Sequence, residues 1–289
     1  MAIDPVVRGT DEAAALQCRL CGVTHVLPRE QRAEFRYVQC TSCGLAFVAN
    51  PRPSDALVEQ YNRGESSKLA YYRMAAGADT RSFDQLLGLI EGYAPRARIL
   101  DVGCNIGTFV QAAQRRGWVA TGVDVNRQAV EYGRREFDLR LLTPDELEAL
   151  PADSFDVIHS SDTLEHFLDP LTSLRQFAAK LRPGGLLFVS TPNYDSKLCK
   201  LFQLKPTEHL FLFNSTSLRY LFQRLDLDLL NVVFFDRYRN ISAMFESTTF
   251  DRFPRLKSVF KALHRVAPEL IVRFKGRENI VAIARVPTR

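Results

Sequence analysis

Four cysteines fall in two pairs, Cys18-Arg-Leu-Cys21 and Cys40-Thr-Ser-Cys43, with eighteen residues between the pairs. Two residues between thiols let one tight turn aim both at a single ion. The glycine after each pair, Gly22 and Gly44, accepts the backbone angles of such a knuckle. Four thiolates suit tetrahedral zinc with no open coordination position, which makes the expected role structural. Paired spacing in a reducing compartment reads as metal binding rather than disulfides, and no βαβ pattern surrounds either pair to suggest redox work. Cys104 and Cys199 are single and read as passive.

A second group is the turn Asp101-Val-Gly103-Cys104-Asn105-Ile-Gly107. Glycine-rich turns after a first strand are a weak sign of a nucleotide site. Asp101 sharpens it, because a carboxylate there would repel a pyrophosphate and attract a ligand carrying an amino group and a sulfonium. Gly103 is expected to let the ligand approach the backbone, and Gly107 to allow close helix packing. Asp124 follows twenty-three residues after Asp101 at the end of the next apolar run, placed to accept both hydroxyls of a ribose.

The third group is Asp162, Glu165 and His166, with Glu208-His209 arriving later. Three- and four-residue spacing puts the first three on one face if that stretch is helical. His209 precedes a helix beginning near Ser215, so its loop reaches the same cleft. These are the groups able to take a proton from a hydroxyl or an acidic carbon. Asn193, at a strand end, is a candidate substrate contact or a turn residue.

Elements to carry these groups follow from periodicity. Phe83, Leu86, Leu87 and Ile90 fall at helical spacing. Ala97–Gly103, Val119–Asp124, Phe155–Ser160 and Leu186–Ser190 read as strands, with helices at 107–116, after Asn126 and after Asp169-Pro170. Ser215 opens a helix with Leu218, Leu221, Phe222 and Leu225 on one face. Leu229–Phe235 and Asn279–Arg285 close the chain as strands. Alternation of this kind predicts an α/β, doubly wound, mostly parallel sheet that binds ligands at the strands' C-terminal edge. Glu34–Gln39 alternates like a hairpin strand between the cysteine pairs, and Asn50-Pro-Arg-Pro-Ser54 makes a stiff connector before a helix-like stretch at Ser54–Tyr61. Residues 1–50 are therefore expected as the cysteine module, 51–80 as a helical connector, and 81–289 as the catalytic domain with an insertion at about 237–277. In that insertion Leu256, Val259, Phe260 and Leu263 form an apolar helical face among basic neighbours. A lid over the site is the first reading of it, contact with a membrane surface or partner the second.

The run Ile99–Phe109 with Thr121-Gly-Val-Asp124 resembles motifs one and two of class I S-adenosylmethionine (SAM)-dependent methyltransferases. Further matches are Phe155-Asp-Val-Ile, Leu164-Glu-His-Phe-Leu-Asp-Pro170, Leu181-Arg-Pro-Gly-Gly-Leu and Ser190-Thr-Pro-Asn193, so the resemblance covers about residues 80–236. Asn105 departs from the glycine many members carry, but asparagine also tolerates left-handed angles. Gln39–Phe47 followed by Asn50-Pro resembles the zinc ribbon fused to many bacterial small-molecule methyltransferases. The resemblance implies a Rossmann-like seven-stranded sheet with helices on both faces and SAM as cofactor. It places Asp101, Gly103, Cys104, Asn105, Gly107, Asp124, Val125, Glu146 and Ser161 at the cofactor, and Cys18, Cys21, Cys40 and Cys43 at zinc. The Glu165-His166 pair with downstream His209 is similar to ubiquinone-biosynthesis O-methyltransferases and small-RNA 2′-O-methyltransferases. In the latter such residues hold a divalent metal, which implies a second metal site as an alternative to a catalytic base.

Composition sets the outer limits. The 289 residues are 46% hydrophobic and 25% charged, with a net charge of +5. That balance permits an anionic partner, but the lack of a dense Lys/Arg run or a basic aromatic stripe on the ribbon argues against nucleic acid. Met1–Ala15 lacks an apolar core, so a signal peptide is not expected and the cytoplasm is the default. The preferred reading is methyl transfer to an oxygen or carbon of a small molecule, such as a sugar, a sugar nucleotide or a biosynthetic intermediate. RNA methylation aided by the ribbon and a non-enzymatic SAM-binding scaffold are the rivals.

Overall fold

The computed structural model describes residues 16–53, 56, 65–242, 254–267 and 269–288. The expected helix at Ser54–Tyr61 lies outside these residues, Ala56 apart. The cysteine module is built from β1 (Val26–Arg32), β2 (Phe35–Cys40) and β3 (Ala46–Val48). Both knuckles close in the same way. Gly22 N–H donates to the Cys18 carbonyl (2.7 Å) and Gly44 N–H to the Cys40 carbonyl (3.1 Å), each glycine at φ 75°. That angle is left-handed, which is why glycine follows each pair.

A long helix, α1 (Glu65–Glu91), is continuous through residue 80. Its last turns bury Leu86, Leu87 and Ile90 in a cluster with Ile99, Phe109, Val110 and Trp118. The alternating unit follows: β4 (Arg98–Val102), α2 (Thr108–Arg115), β5 (Val119–Val123), α3 (Arg127–Phe137), β6 (Leu141–Leu142), α4 (Pro144–Glu148) and β7 (Phe155–Ser161). A 3-10 turn at Leu164–His166 leads to α5 (Pro170–Ala178), β8 (Leu181–Pro192), α6 (Lys197–Phe202), β9 (Phe211–Leu212) and α7 (Ser215–Gln223). The chain ends with β10 (Asp228–Asn240), α8 (Pro254–Val266) and β11 (Ile271–Arg285). Caps anticipated in the sequence are formed: Asn126 accepts from Ala129 N–H, and Asp169 from Leu171 and Thr172 N–H.

Seven strands form one sheet in the order β10-β11-β8-β7-β4-β5-β6, and the pairs among β4 to β8 are parallel. Only β11 runs against its neighbours, pairing antiparallel with both β8 and β10. This is the mostly parallel, Rossmann-like α/β fold. It carries the C-terminal ends of β4, β5, β7 and β8 to one edge.

The structure departs from expectation after residue 236. β10 and β11 continue past a bulge, pairing Arg237 with Phe274 through Asn240 with Ile271, so both ends of the expected insertion are a lengthened hairpin. Tyr238, Val272 and Phe274 suit a pleated surface, and their pairing outweighs the break in apolar alternation. The expected helix is α8, but its apolar face is narrower. Phe260 and Leu263 pack with Phe202, Ile241, Val272 and Phe274, whereas Val259 is 53% exposed. Among the described residues no helix is long and apolar enough to cross a membrane.

A second sheet joins the N-terminal strands to a segment far along the chain. It runs β1-β2-β3-β9, and β9 belongs to the segment after β8. Ala46 pairs with Leu212 and Phe47 with Phe211, antiparallel.

Candidate active site and cysteine centre

The turn after β4 folds back on β5: Gly103 and Cys104 N–H both donate to the Val123 carbonyl (2.9 and 3.1 Å). Asn105 holds φ 51°, the left-handed angle expected of it. The Asp124 carboxylate accepts Asn105 N–H at one oxygen and Asn126 N–H at the other, each at 2.8 Å. Val125 beside it is 64% exposed, an apolar side chain held at the sheet edge.

Two glycines in the turn have different reasons. A Cβ on Gly107 would meet Leu139 at 2.5 Å, so close helix packing requires it, as expected. A Cβ on Gly103 would lie 2.2 Å from Thr163 Oγ1. The Cβ side of Gly103 is therefore filled by Thr163, so internal packing alone requires glycine there. Cys104 is buried, and its Sγ packs where a Gly122 Cβ would sit. Burial pushes its thiol well above the ordinary range.

Asp101 is not an open strand-end carboxylate. It pairs in register with His159 on β7, and His159 Nδ1 lies 2.8 Å from its Oδ1. The imidazole stacks on Phe109 (3.9 Å between centroids, 11° between planes). Sequence reading treated His159 only as a strand residue. Parallel pairing of the two strands was the one signal able to find it.

Glu146 is engaged in a helix cap. Its carboxylate accepts Thr143 N–H (2.7 Å) and pairs with Arg134, and these partners, the Thr143 backbone first, lower its pKa. The Thr143–Glu146 capping box explains this residue without a ligand. Ser161 Oγ donates to Ser190 Oγ at 3.3 Å on the partly exposed edge.

The acidic and histidine group assembles, but not on one helical face. Asp162 takes φ 49° and turns away, accepting from Asn279 Nδ2 (3.0 Å) and pairing with Arg237. A left-handed residue cannot continue a helix, and only the short 3-10 turn follows. Glu165 is fully buried. Thr191 Oγ1 donates to its Oε2 (2.8 Å), while Oε1 has no hydrogen-bond partner among the described residues. Burial, with Asp162 nearby, pushes its carboxyl up to about 8. His166 and His209 meet edge to face, 4.8 Å between centroids. Each directs Nδ1 at a carbonyl, that of Glu208 (2.9 Å) and that of Gln203 (2.8 Å). A carbonyl only accepts, so Nδ1 carries the proton and Nε2 the lone pair. Burial lowers both histidines below the ordinary range, His209 further. One ligand atom from each of Glu165, His166 and His209 fits within 4.8 Å of the others. Asn193 is a turn residue: its Nδ2 donates to the Arg277 carbonyl, and its Oδ1 accepts Asp195 N–H.

The four cysteine sulfurs also lie within 4.8 Å of one another, with Cys18–Cys43 at 3.5 Å and Cys21–Cys40 at 3.4 Å. Tetrahedral zinc with Zn–S near 2.3 Å spaces its sulfurs about 3.8 Å apart. The contact with Cys43 holds Cys18 down to about 5, while Cys43 beside it is pushed up and burial raises Cys21 to about 11. Four thiolates gathered this closely repel one another, and a divalent ion relieves that repulsion. The residues fit the metal.

The family model for a methyltransferase domain matches residues 72–232. The chain belongs to that methyltransferase-domain family, and its mostly parallel α/β sheet agrees with it. It is similar to the ubiquinone biosynthesis O-methyltransferase of Xanthomonas campestris pv. campestris (strain B100), 38% identical over 34% of this chain and 44% of that one. The Paracidovorax citrulli protein of the same description is 30% identical over 50% of this chain and 66% of that one. The chain thus spans less than half of the first of these relatives. A SAM-dependent methyltransferase structure from Archaeoglobus fulgidus aligns over 71% of this chain and 92% of that one, with TM-score 0.50 and 19% identity. A Haloferax volcanii methyltransferase complexed with the Trm112 activator aligns over 77% and 96%, with TM-score 0.56 and 15% identity. These two likenesses concern the fold.

Proposed function

We propose that the protein transfers a methyl group from SAM to a hydroxyl of a small organic acceptor. The observation that carries this reading is the pair of histidines, His166 and His209, each with Nδ1 committed to a backbone carbonyl and both gathered with buried Glu165 so that one ligand atom of each lies within 4.8 Å of the others. The sulfonium supplies an already activated methyl group, so the chain's own work is alignment, exclusion of water and removal of one proton. Histidines held neutral at pH 7 are available to take that proton, and burial maintains the state. Asp101, Asn105, Asp124, Val125 and Ser161 are the residues assigned to the cofactor. Asp124 would receive the ribose, and exposed Val125 would cover the flat face of the base. The Cys18, Cys21, Cys40 and Cys43 cage is assigned a structural zinc ion. Elemental analysis of carefully purified protein then gives about one zinc per chain, and a substoichiometric result sinks that assignment.

A second reading of the same three side chains is supported by their convergence. Glu165, His166 and His209 would hold a divalent cation that lowers the acceptor hydroxyl's pKa, and Glu165 would then be ionised. Radiolabelled methyl transfer from SAM into phenols, catechols, sugars and sugar nucleotides tests the acceptor class. Repeating it with magnesium, manganese or a chelator separates base from metal. Transfer to carbon or nitrogen acceptors alone would overturn the hydroxyl assignment.

A further inference from the structure

The cysteine module shares hydrogen bonds and apolar core with the loop that carries His209. Val48 N–H, in β3, donates to the Leu210 carbonyl (3.0 Å), and Leu210 N–H donates to the Glu165 carbonyl (2.9 Å). With the Ala46–Leu212 and Phe47–Phe211 pairs, three strands' worth of backbone lead from the Cys40–Cys43 knuckle to the residue after His209. The knuckle also abuts α7 directly. A Cβ on Gly44 would meet Asn214 Oδ1 at 3.3 Å, and Asn214 is the residue that caps that helix. Apolar packing follows the same route. Leu212 is buried with Phe35, Tyr37, Ala46 and Val48 of the module, while Phe211 and Phe213 join the cluster containing Cys18, Cys40 and Cys43.

We propose that the four-cysteine module is a positioning element for the acceptor side of the site, its metal-loaded cage holding β3 against β9 and thereby His209 against His166 and Glu165. A freestanding ribbon would need no strand from the catalytic domain. Here β9 is only two residues long, begins two residues after His209, and pairs with β3 along its whole length. The parallel strands that carry Asp101 and Asp124 are not part of this sheet, so loss of the metal acts on His209 and spares the cofactor turn. The inference rests on reading His209 as an acceptor-side residue.

The test uses the full chain, zinc-loaded and zinc-stripped. Amide exchange over residues 207–212, the rate at which diethyl pyrocarbonate modifies His209, and S-adenosylhomocysteine affinity by calorimetry are measured on each. Stripping should speed exchange and His209 modification by about tenfold or more, with affinity within about twofold. His159, inside the main sheet, serves as the unmoved control. Val48→Pro, which deletes the donor to Leu210 together with the valine side chain packed near Leu212, should reproduce the His209 effect with zinc content unchanged. Unaltered protection of 207–212 on stripping, or of His209 in Val48→Pro, overturns the proposal. Failure of zinc-loaded protein to bind S-adenosylhomocysteine would instead overturn the cofactor assignment, leaving the His209 comparison readable.

Discussion

Asp101 and His159 are register partners on the parallel strands β4 and β7, and their side chains meet at 2.8 Å in a site where both are almost wholly buried. Nδ1–H donates to the carboxylate, and Nε2 is buried without a partner among the described residues. A buried carboxylate is costly unless hydrogen-bonded, and this bond holds Asp101 beneath the turn that begins at Gly103.

His159→Phe keeps the aromatic stack on Phe109 but removes the donor. Asp101 is then buried with a bond missing, and unfolding in urea should show a loss of about 1–3 kcal/mol. S-adenosylhomocysteine affinity should fall as well, because the carboxylate is no longer held in place. A variant as stable and as tightly binding as wild type would leave His159 with a packing role only.

Asp124 is bound to two backbone N–H groups before any ligand arrives. Asp124→Ala deletes both acceptors and the ribose contact together, so calorimetry should detect no SAM binding. Asp124→Asn keeps one acceptor oxygen, and its affinity should fall by roughly ten- to a hundredfold, about 1.4–2.8 kcal/mol. Wild-type affinity in the alanine variant would remove Asp124 from the cofactor site.

Gly103→Ala puts a methyl group 2.2 Å from Thr163 Oγ1 at a φ of 79°. The overlap and the left-handed angle together should cost about 2–4 kcal/mol. In a Thr163→Ala background the overlap is relieved and the angle is not, so the cost should drop to about 1–2 kcal/mol. A double-mutant cycle by denaturant unfolding reads the difference. Equal costs in both backgrounds would mean that Thr163 moves aside freely.

The sheet was legible because each strand is an apolar run closed by a turn residue, and because Asn126 and Asp169 announce their helices. The convergence of the cysteine pairs was legible for a related reason, since each pair is set by short local spacing. His159 was not, because its partner lies 58 residues away and only strand pairing joins them. The Thr163 contact of Gly103 was hidden for the same reason, since the two lie 60 residues apart. Helical spacing misled at Asp162, which takes a left-handed angle ahead of the 3-10 turn that carries Glu165 and His166. The β3–β9 pairing left no trace in the sequence, because two-residue strands have no periodicity to read.

Glu91 closes α1 and accepts hydrogen bonds from Arg116 (Nη2 at 2.5 Å), Arg96 and Trp118. Arg116 is the main cause that holds its carboxyl down from 4.5 to about 2. A depressed pKa means the native state binds fewer protons than the unfolded chain. The stability this contributes is fully present above pH 4.5 and is lost as pH falls through about 2. The full shift corresponds to about 3 kcal/mol, but Arg96 is half exposed and water screens the cluster, so about 1–2 kcal/mol is expected. Glu91→Gln should therefore be less stable than wild type by that amount at pH 7. Unfolding measured at pH 7, 5 and 3 should show a steady gap down to pH 5 and a narrower one at pH 3. A gap independent of pH would mean that Glu91 acts through shape and neutral hydrogen bonds, with its charge contributing nothing.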